Sequence, residues 1–157
     1  KKSNEELADL FAPALVEHQV NEPDKARLAR IIGLVKERIS FVKDLWEQIS
    51  YFYIAPETYD PKAIKKRWKP DTPVIMQQLI ELLSGIEDFG SAATEAVVIP
   101  WIEQNGYHTG NVMNAFRLAV VGECRGPHMF DITEIIGKDE TIRRLHTAIE
   151  KITPAND

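Results

Sequence analysis

Nine residues, GECRGPHMF (122–130), join two apolar helical patterns and bring an arginine, a Gly-Pro pair and two large apolar side chains into one short connection. These types together suit recognition of an unstacked base. Gly126 lets a backbone approach closely, Pro127 stiffens the loop, and the following helix start leaves amide donors unpaired. Met129 and Phe130 could lie against base faces, since sequence-specific RNA recognition uses flat or apolar surfaces with donors at base edges. The competing reading is a plain helix-helix turn in which Met129 and Phe130 plug the core.

Other chemistry is harder to assemble. His18, His108, His128 and His146 are scattered and pair with no carboxylate or Cys at metal-ligand spacing, so no metal is expected. IIGKDE (135–140) has a Gly-Lys pair but lacks the upstream glycine of a phosphate loop, and Asp139 stands where a hydroxyl is needed; a turn and helix start fit better. Cys124 has no base near it in sequence. AIKKRWKP (63–70) clusters Lys65, Lys66 and Arg67 beside Trp68. It reads either as phosphate contacts with a stacking ring or as a solvated helix face over a core tryptophan.

Composition narrows the class. The 157 residues are 44% hydrophobic and 27% charged, which suits one core or two small ones. The longest apolar stretch, AVVIPWI, is too short to span a bilayer. One cysteine and no signal-like opening lead us to expect a cytoplasmic setting. The start, KKSNEELADLF, lacks Met and is already helical in pattern, as expected of a piece of a longer or processed chain. Residues 1–69 hold 13 Lys/Arg against 11 Asp/Glu, and residues 70–157 hold 6 against 13. Such a balance argues against nonspecific nucleic-acid binding by broad phosphate neutralisation. No Lys or Arg occurs from 70 to 116, and the next two basic residues, Arg117 and Arg125, bracket the start of the loop.

The elements that must position these groups are helical throughout. Leu7, Leu10, Phe11, Ala14 and Leu15 share a face, with Ser3 or Asn4 as cap, predicting a helix near 4–18. A second runs through NEPDKARLARIIGLVKERI, with Pro23 in its first turn and Leu28, Ile31, Ile32 and Val35 buried. A third follows in SFVKDLWEQISYFY, and a short one starts at Asp60-Pro61. DTPVIMQQLIELLSGI is a capped helix closed by Ser84-Gly85, and further helices are predicted at 91–104, 109–121, 129–136 and 139–151. With no alternating run, the class is all-α: two packed helical subdomains, 1–69 and 70–157, the second carrying the recognition loop 122–130.

The stretch NVMNAFRLAVVGECRGPHMFDITEIIGKDETIRRLHTAI resembles the C-terminal end of bacterial glutamyl-tRNA synthetases. In that family a helix ending R-x-A-[LV]-[TV]-G, a Gly-Pro loop, an apolar-Phe pair, a Gly-Lys-[DE] turn and a final helix with R-L follow in this order. LVKERISFVKDLWEQISYFY is similar to a helix of the first half of the same region. The resemblance implies an anticodon-binding helical cage. Its base-reading residues would be Arg38 at the third anticodon base, Arg117 at the first, and Gly126, Pro127, Met129 and Phe130 along the loop. Some relatives carry a hydroxyl residue where Gly126 stands, and leucine is commoner than Met129. Arg125, Lys65, Lys66 and Arg67 are candidate phosphate contacts.

The catalytic HIGH-like and KMSKS-like signatures are not in this chain. The resemblance thus implies a part that needs no cofactor of its own, in a parent glutamate–tRNA ligase using ATP and Mg²⁺ in an upstream catalytic domain. The implied partners are that domain and the anticodon loop of glutamate tRNA, with no membrane, and the implied state is monomeric. A different class remains open: an all-helical protein-interaction module in which Met129, Phe130, Tyr51, Phe52 and Tyr53 form an apolar patch. A small hydrolase is disfavoured, because no set of nucleophile, base and oxyanion donors can be put together.

Overall fold

Ser3 opens the first helix as a capping box: its hydroxyl accepts the Glu6 amide and the Glu6 carboxylate accepts the Ser3 amide. The computed structural model describes residues 3–20, 24–36 and 45–152, and in these the chain forms nine α-helices and one 3-10 turn, with no strand. The all-α expectation holds.

The chain divides into two compact units, Lys1–Ile54 and Ala55–Asp157. In the first, α1 (Asn4–Glu17) packs on α2 (Lys25–Val35). Leu7, Phe11 and Leu15 meet the stripe Leu28, Ile31, Ile32 and Val35, all buried as the three- and four-residue spacing requires. Asp24 caps α2, which starts at Lys25; Pro23, expected in its first turn, lies outside the described residues. Among the described residues the third helix, α3, covers Leu45–Ile49 and tightens into a 3-10 turn, Ser50–Phe52, where an α-helix to Tyr53 was expected; the expected start of that helix, 40–44, lies outside the described residues. His18 stacks on Trp46, with ring centroids 4.0 Å apart and planes 5° from parallel.

The second unit begins with α4 (Pro61–Arg67), capped by Asp60, then α5 (Thr72–Ser84), α6 (Ser91–Gln104), α7 (Thr109–Val121), α8 (Met129–Ile136) and α9 (Lys138–Lys151). All lie within a residue or two of their expected limits. Helices α5, α7 and α9 pack on one another, α6 and α8 cover them, and α4 lies on α7. Met76, Leu79, Leu83, Phe116, Ala119, Phe130 and Leu145 fill the interior.

These limits differ from the expected subdomains, 1–69 and 70–157. Trp68, at the C-cap of α4, is fully buried, and α4 packs on α7, so α4 belongs with the helices that follow it. A composition shift records surface charge, whereas a unit is delimited by its core contacts.

Helix ends are tied across the second unit. Glu134 of α8 accepts the Ser91 amide at 2.7 Å, satisfying the start of α6, which lacks a side-chain cap of its own. Lys138 donates to the Ile86 carbonyl at 2.9 Å and to that of Ser84 at 3.5 Å. The Gly137-Lys138 pair is therefore a turn and helix start whose lysine closes the end of α5.

The α2 cap offers a local test. Asp24 accepts the amides of Ala26 and Arg27 at 3.0 and 3.2 Å, so Asp24→Ala should lower stability by about 1 kcal/mol in urea denaturation. An unchanged midpoint would show that solvent replaces the cap without loss.

Candidate nucleic-acid interface

The loop after α7 is defined by a glycine that nothing else can replace cheaply. Gly122 closes α7 in the left-handed region at φ 94°, and its amide donates to Leu118. A Cβ there would sit 2.9 Å from Pro56 Cβ and 3.0 Å from the Thr58 carbonyl oxygen. The Asp60 amide donates to the Gly122 carbonyl at 2.9 Å, so the segment before α4 is sewn to the end of α7. At the other end of α4, Arg67 Nη1 donates to Asn111 Oδ1 at 2.9 Å. The two helices therefore run antiparallel.

Below the loop lies a buried cation. Arg144 of α9 is 1% exposed; its Nε donates to Glu140 at 2.7 Å and its Nη1 to the Val120 carbonyl at 2.9 Å. Val120 belongs to the last turn of α7, whose carbonyls have no partner within the helix. Arg143 also donates to both Glu140 oxygens, at 2.8 and 2.6 Å. Burial pushes the Glu140 carboxyl up, but these hydrogen bonds and the two positive charges outweigh it and hold it below the usual carboxylate range.

The loop itself offers donors. Among the described residues, the amides of Glu123, Cys124, Arg125, Gly126 and His128 have no hydrogen-bond acceptor, and Pro127 has no N–H to give. Gly126 is held at φ 131°, a conformation that side chains disfavour. Arg117 is half-buried on α7 and reaches the Arg125 carbonyl at 3.5 Å. Arg125 projects into solvent with a long 3.5 Å contact to Glu123. His128 Nε2 lies 3.3 Å from Glu95 on α6, which ties the far side of the loop.

Met129 and Phe130 correct the expectation of exposed apolar groups. They are 2% and 1% exposed, and the Phe130 ring lies edge-on to Phe116 with centroids 6.4 Å apart. Both start α8 on the face it buries, so in this conformation they floor the loop from beneath and present no surface to a ligand. Pro127 is buried as well, while Gly126 is partly exposed. Tyr51 and Phe52 are buried in the first unit, which removes the apolar patch of the interaction-module reading. Trp68 is core, so its stacking on a base is excluded in this conformation. Arg38 lies outside the described residues.

Packing gathers the remaining candidates. Lys65, Lys66 and Arg67 form the last turn of α4, and Arg67 and Arg117 both exert their charge on the Cys124 thiol. Burial nevertheless pushes that thiol up, so it is protonated at neutral pH and is no activated nucleophile. Sequence reasoning missed what Arg144 and Asn111 do: Arg144 entered only as the arginine of the R-L motif in the final helix, and Asn111 carried no motif of its own. Among the described residues no three His, Cys, Asp or Glu converge as a metal site, and no helix is long and apolar enough to cross a membrane.

The Glu140 site predicts a pH dependence. Because its folded pKa is depressed, its stabilisation is present above the unfolded carboxylate value of about 4.3 and is lost as pH falls through the lower folded value. Glu140→Gln should remove that acid-dependent component from urea midpoints measured across this window. Glu140→Ala, which strands a buried guanidinium, should cost about 3 kcal/mol at neutral pH. A loss under about 0.5 kcal/mol, the scale of an ordinary surface substitution, would show that Arg144 is compensated elsewhere.

Comparison with known proteins agrees with this geometry. Residues 6–149 match the sequence model of the anticodon binding domain. The chain is 53% identical over 150 residues to the glutamate–tRNA ligase of Phocaeicola vulgatus, covering 96% of this chain and 30% of that protein. It is 48% identical over 149 residues to that of Flavobacterium psychrophilum. A crystal structure of the glutamate tRNA ligase from Elizabethkingia meningosepticum superposes with a TM-score of 0.89 at 41% identity, over 97% of this chain and 30% of that one. The chain thus spans about 30% of the length of the relatives it matches. On a sequence match that runs nearly from end to end and a shared helical architecture, it belongs to the anticodon-binding domain family.

Proposed function

We propose that this chain is the anticodon-binding region of a bacterial glutamate–tRNA ligase, acting as a monomeric reader in the cytoplasm. The observation that carries the reading is the row of unpaired loop amides between Arg117 and the start of α8, held by a buried clamp. Amide donors fixed on a rigid frame suit the acceptor edges of unstacked pyrimidines, and they lose no conformational freedom on binding. Arg117 meets the first anticodon base, and the backbone at Gly126 and Pro127 lies along the next. Met129 and Phe130 act from below by setting the height of the loop. Arg125, Lys65, Lys66 and Arg67 hold phosphates, which position the RNA without reading it.

Arg38, in the first unit, reads the third base. Its guanidinium presents a rigid fork of donors, which favours the acceptor edge of cytosine over the guanine of a glutamine anticodon. Glutamate activation with ATP and Mg²⁺ belongs to a catalytic domain outside this chain, and seating of the anticodon here commits the acceptor end there.

The test is binding to a stem-loop with a glutamate anticodon and to the same stem-loop with its third base changed from C to G. The change should cost about 1–3 kcal/mol, and Arg38→Gln should abolish most of the difference. Equal binding of both RNAs by the unsubstituted chain would overturn anticodon reading. A difference that survives in Arg38→Gln would remove Arg38 from the site.

A further inference from the structure

A second concavity lies on the same unit, about 270 Å³ in volume, where the end of α4 and start of α5 face the corner leading into α7. Half-buried Ile75 is the apolar side chain open to it, above Met76, Val112 and Ala115, which are 0%, 4% and 1% exposed and present no surface of their own. Its rim carries Arg67 and Lys69 against a single carboxylate, Asp71. Both cations are held in place, Arg67 by Asn111 at 2.9 Å and Lys69 by the Lys65 carbonyl at 3.0 Å. Tyr107 and His108 form the opposite wall. The Tyr107 hydroxyl donates to Gln78 at 2.6 Å and its ring stands edge-on to Trp101. His108 Nδ1 accepts the Asn111 amide, so the neutral ring keeps its proton on Nε2, a donor for a ligand.

A half-buried aliphatic side chain, a fixed aromatic ring, an imidazole donor and two anchored cations are what a nucleotide needs: a surface for its base and charge for its phosphate. The volume, at the low end for ligand sites, admits one base rather than a stacked pair. Charge selects the occupant's source. The 62–69 segment holds five of the eleven Lys/Arg of the acidic second unit, and Lys65 and Lys66 are exposed with no ion pair among the described residues. The rim is continuous with the loop through Asn111 and Arg117, six residues or about 9 Å apart along α7.

We propose that this cleft takes one unstacked nucleotide of the bound RNA lying outside the anticodon triplet, with its phosphate at Arg67 and Lys69 and its base between Ile75 and the Tyr107 ring. The inference rests on the RNA-binding reading above and adds a second, sequence-tolerant anchor to it. Bound there, the nucleotide fixes the path of the strand, so that the triplet meets the loop in one register.

The test uses the whole 157-residue chain and stem-loops made abasic at one position at a time. One position outside the triplet should weaken binding roughly tenfold, the scale of one base stacked on a side chain. In Ile75→Trp, which fills the cleft from a half-buried position, intact RNA should bind about tenfold more weakly and that abasic change should have no further effect. Arg67→Gln should weaken all sequences alike and reduce the salt dependence by about one unit of slope. C-to-G discrimination retained with Ile75→Trp binding as tightly as the unsubstituted chain would overturn the cleft and leave anticodon reading intact. Loss of discrimination in the unsubstituted chain, or no RNA binding at all, would overturn both. If Ile75→Trp proves misfolded by circular dichroism, the abasic series on Arg67→Gln decides, since an unchanged abasic penalty there also overturns the assignment.

Discussion

The second unit is organised around one buried guanidinium. Arg144 satisfies a carbonyl in the last turn of α7 at 2.9 Å while Glu140 neutralises it at 2.7 Å, which ties the C-terminal helix to the point where the loop departs. A charge in so dry a place persists only when it is paired and hydrogen-bonded. It also leaves little freedom for the helix end it holds. Once α7 is stopped there, Gly122 must turn left-handed against Pro56 and Thr58, and the segment before α4 is drawn in by the Asp60 amide.

That frame explains how a loop can leave its amides unpaired without collapsing. Its two ends are fixed by packing, by Gly122 on one side and by the buried pair Met129 and Phe130 on the other, so the loop needs no internal hydrogen bonds to keep its shape. The acidic balance of the unit is consistent with such a device. Of the eleven Lys/Arg of the unit, five lie at 62–69, Arg117 and Arg125 lie at the loop and four lie on α9, while Glu81, Glu87, Asp88 and Glu103 lie on α5, α6 and the turn between them.

Helices were legible because burial here follows a 3.6-residue period with well-placed caps: Ser3, Asp24 and Asp60 each sit where an amide needs an acceptor. The site was legible only in outline. Met129 and Phe130 looked like recognition groups because the loop was drawn to 130 although a helix was expected from 129, and that helix turns both side chains inward. The second compact unit begins at Ala55, ahead of the expected 69/70 boundary, and its core already includes Trp68.

By itself the sequence determined the all-helical class, the order and limits of most helices, a connection after the helix ending at 121 and the family to which the chain belongs, because local periodicity, capping and ordered motifs are written along one dimension. Tertiary structure alone decided that Arg144, twenty-four residues after Val120, closes α7, that Arg67 reaches Asn111 across forty-four residues, and that Met129 and Phe130 serve the core. These depend on which faces of distant helices come together, and no spacing rule encodes a partner that far along the chain.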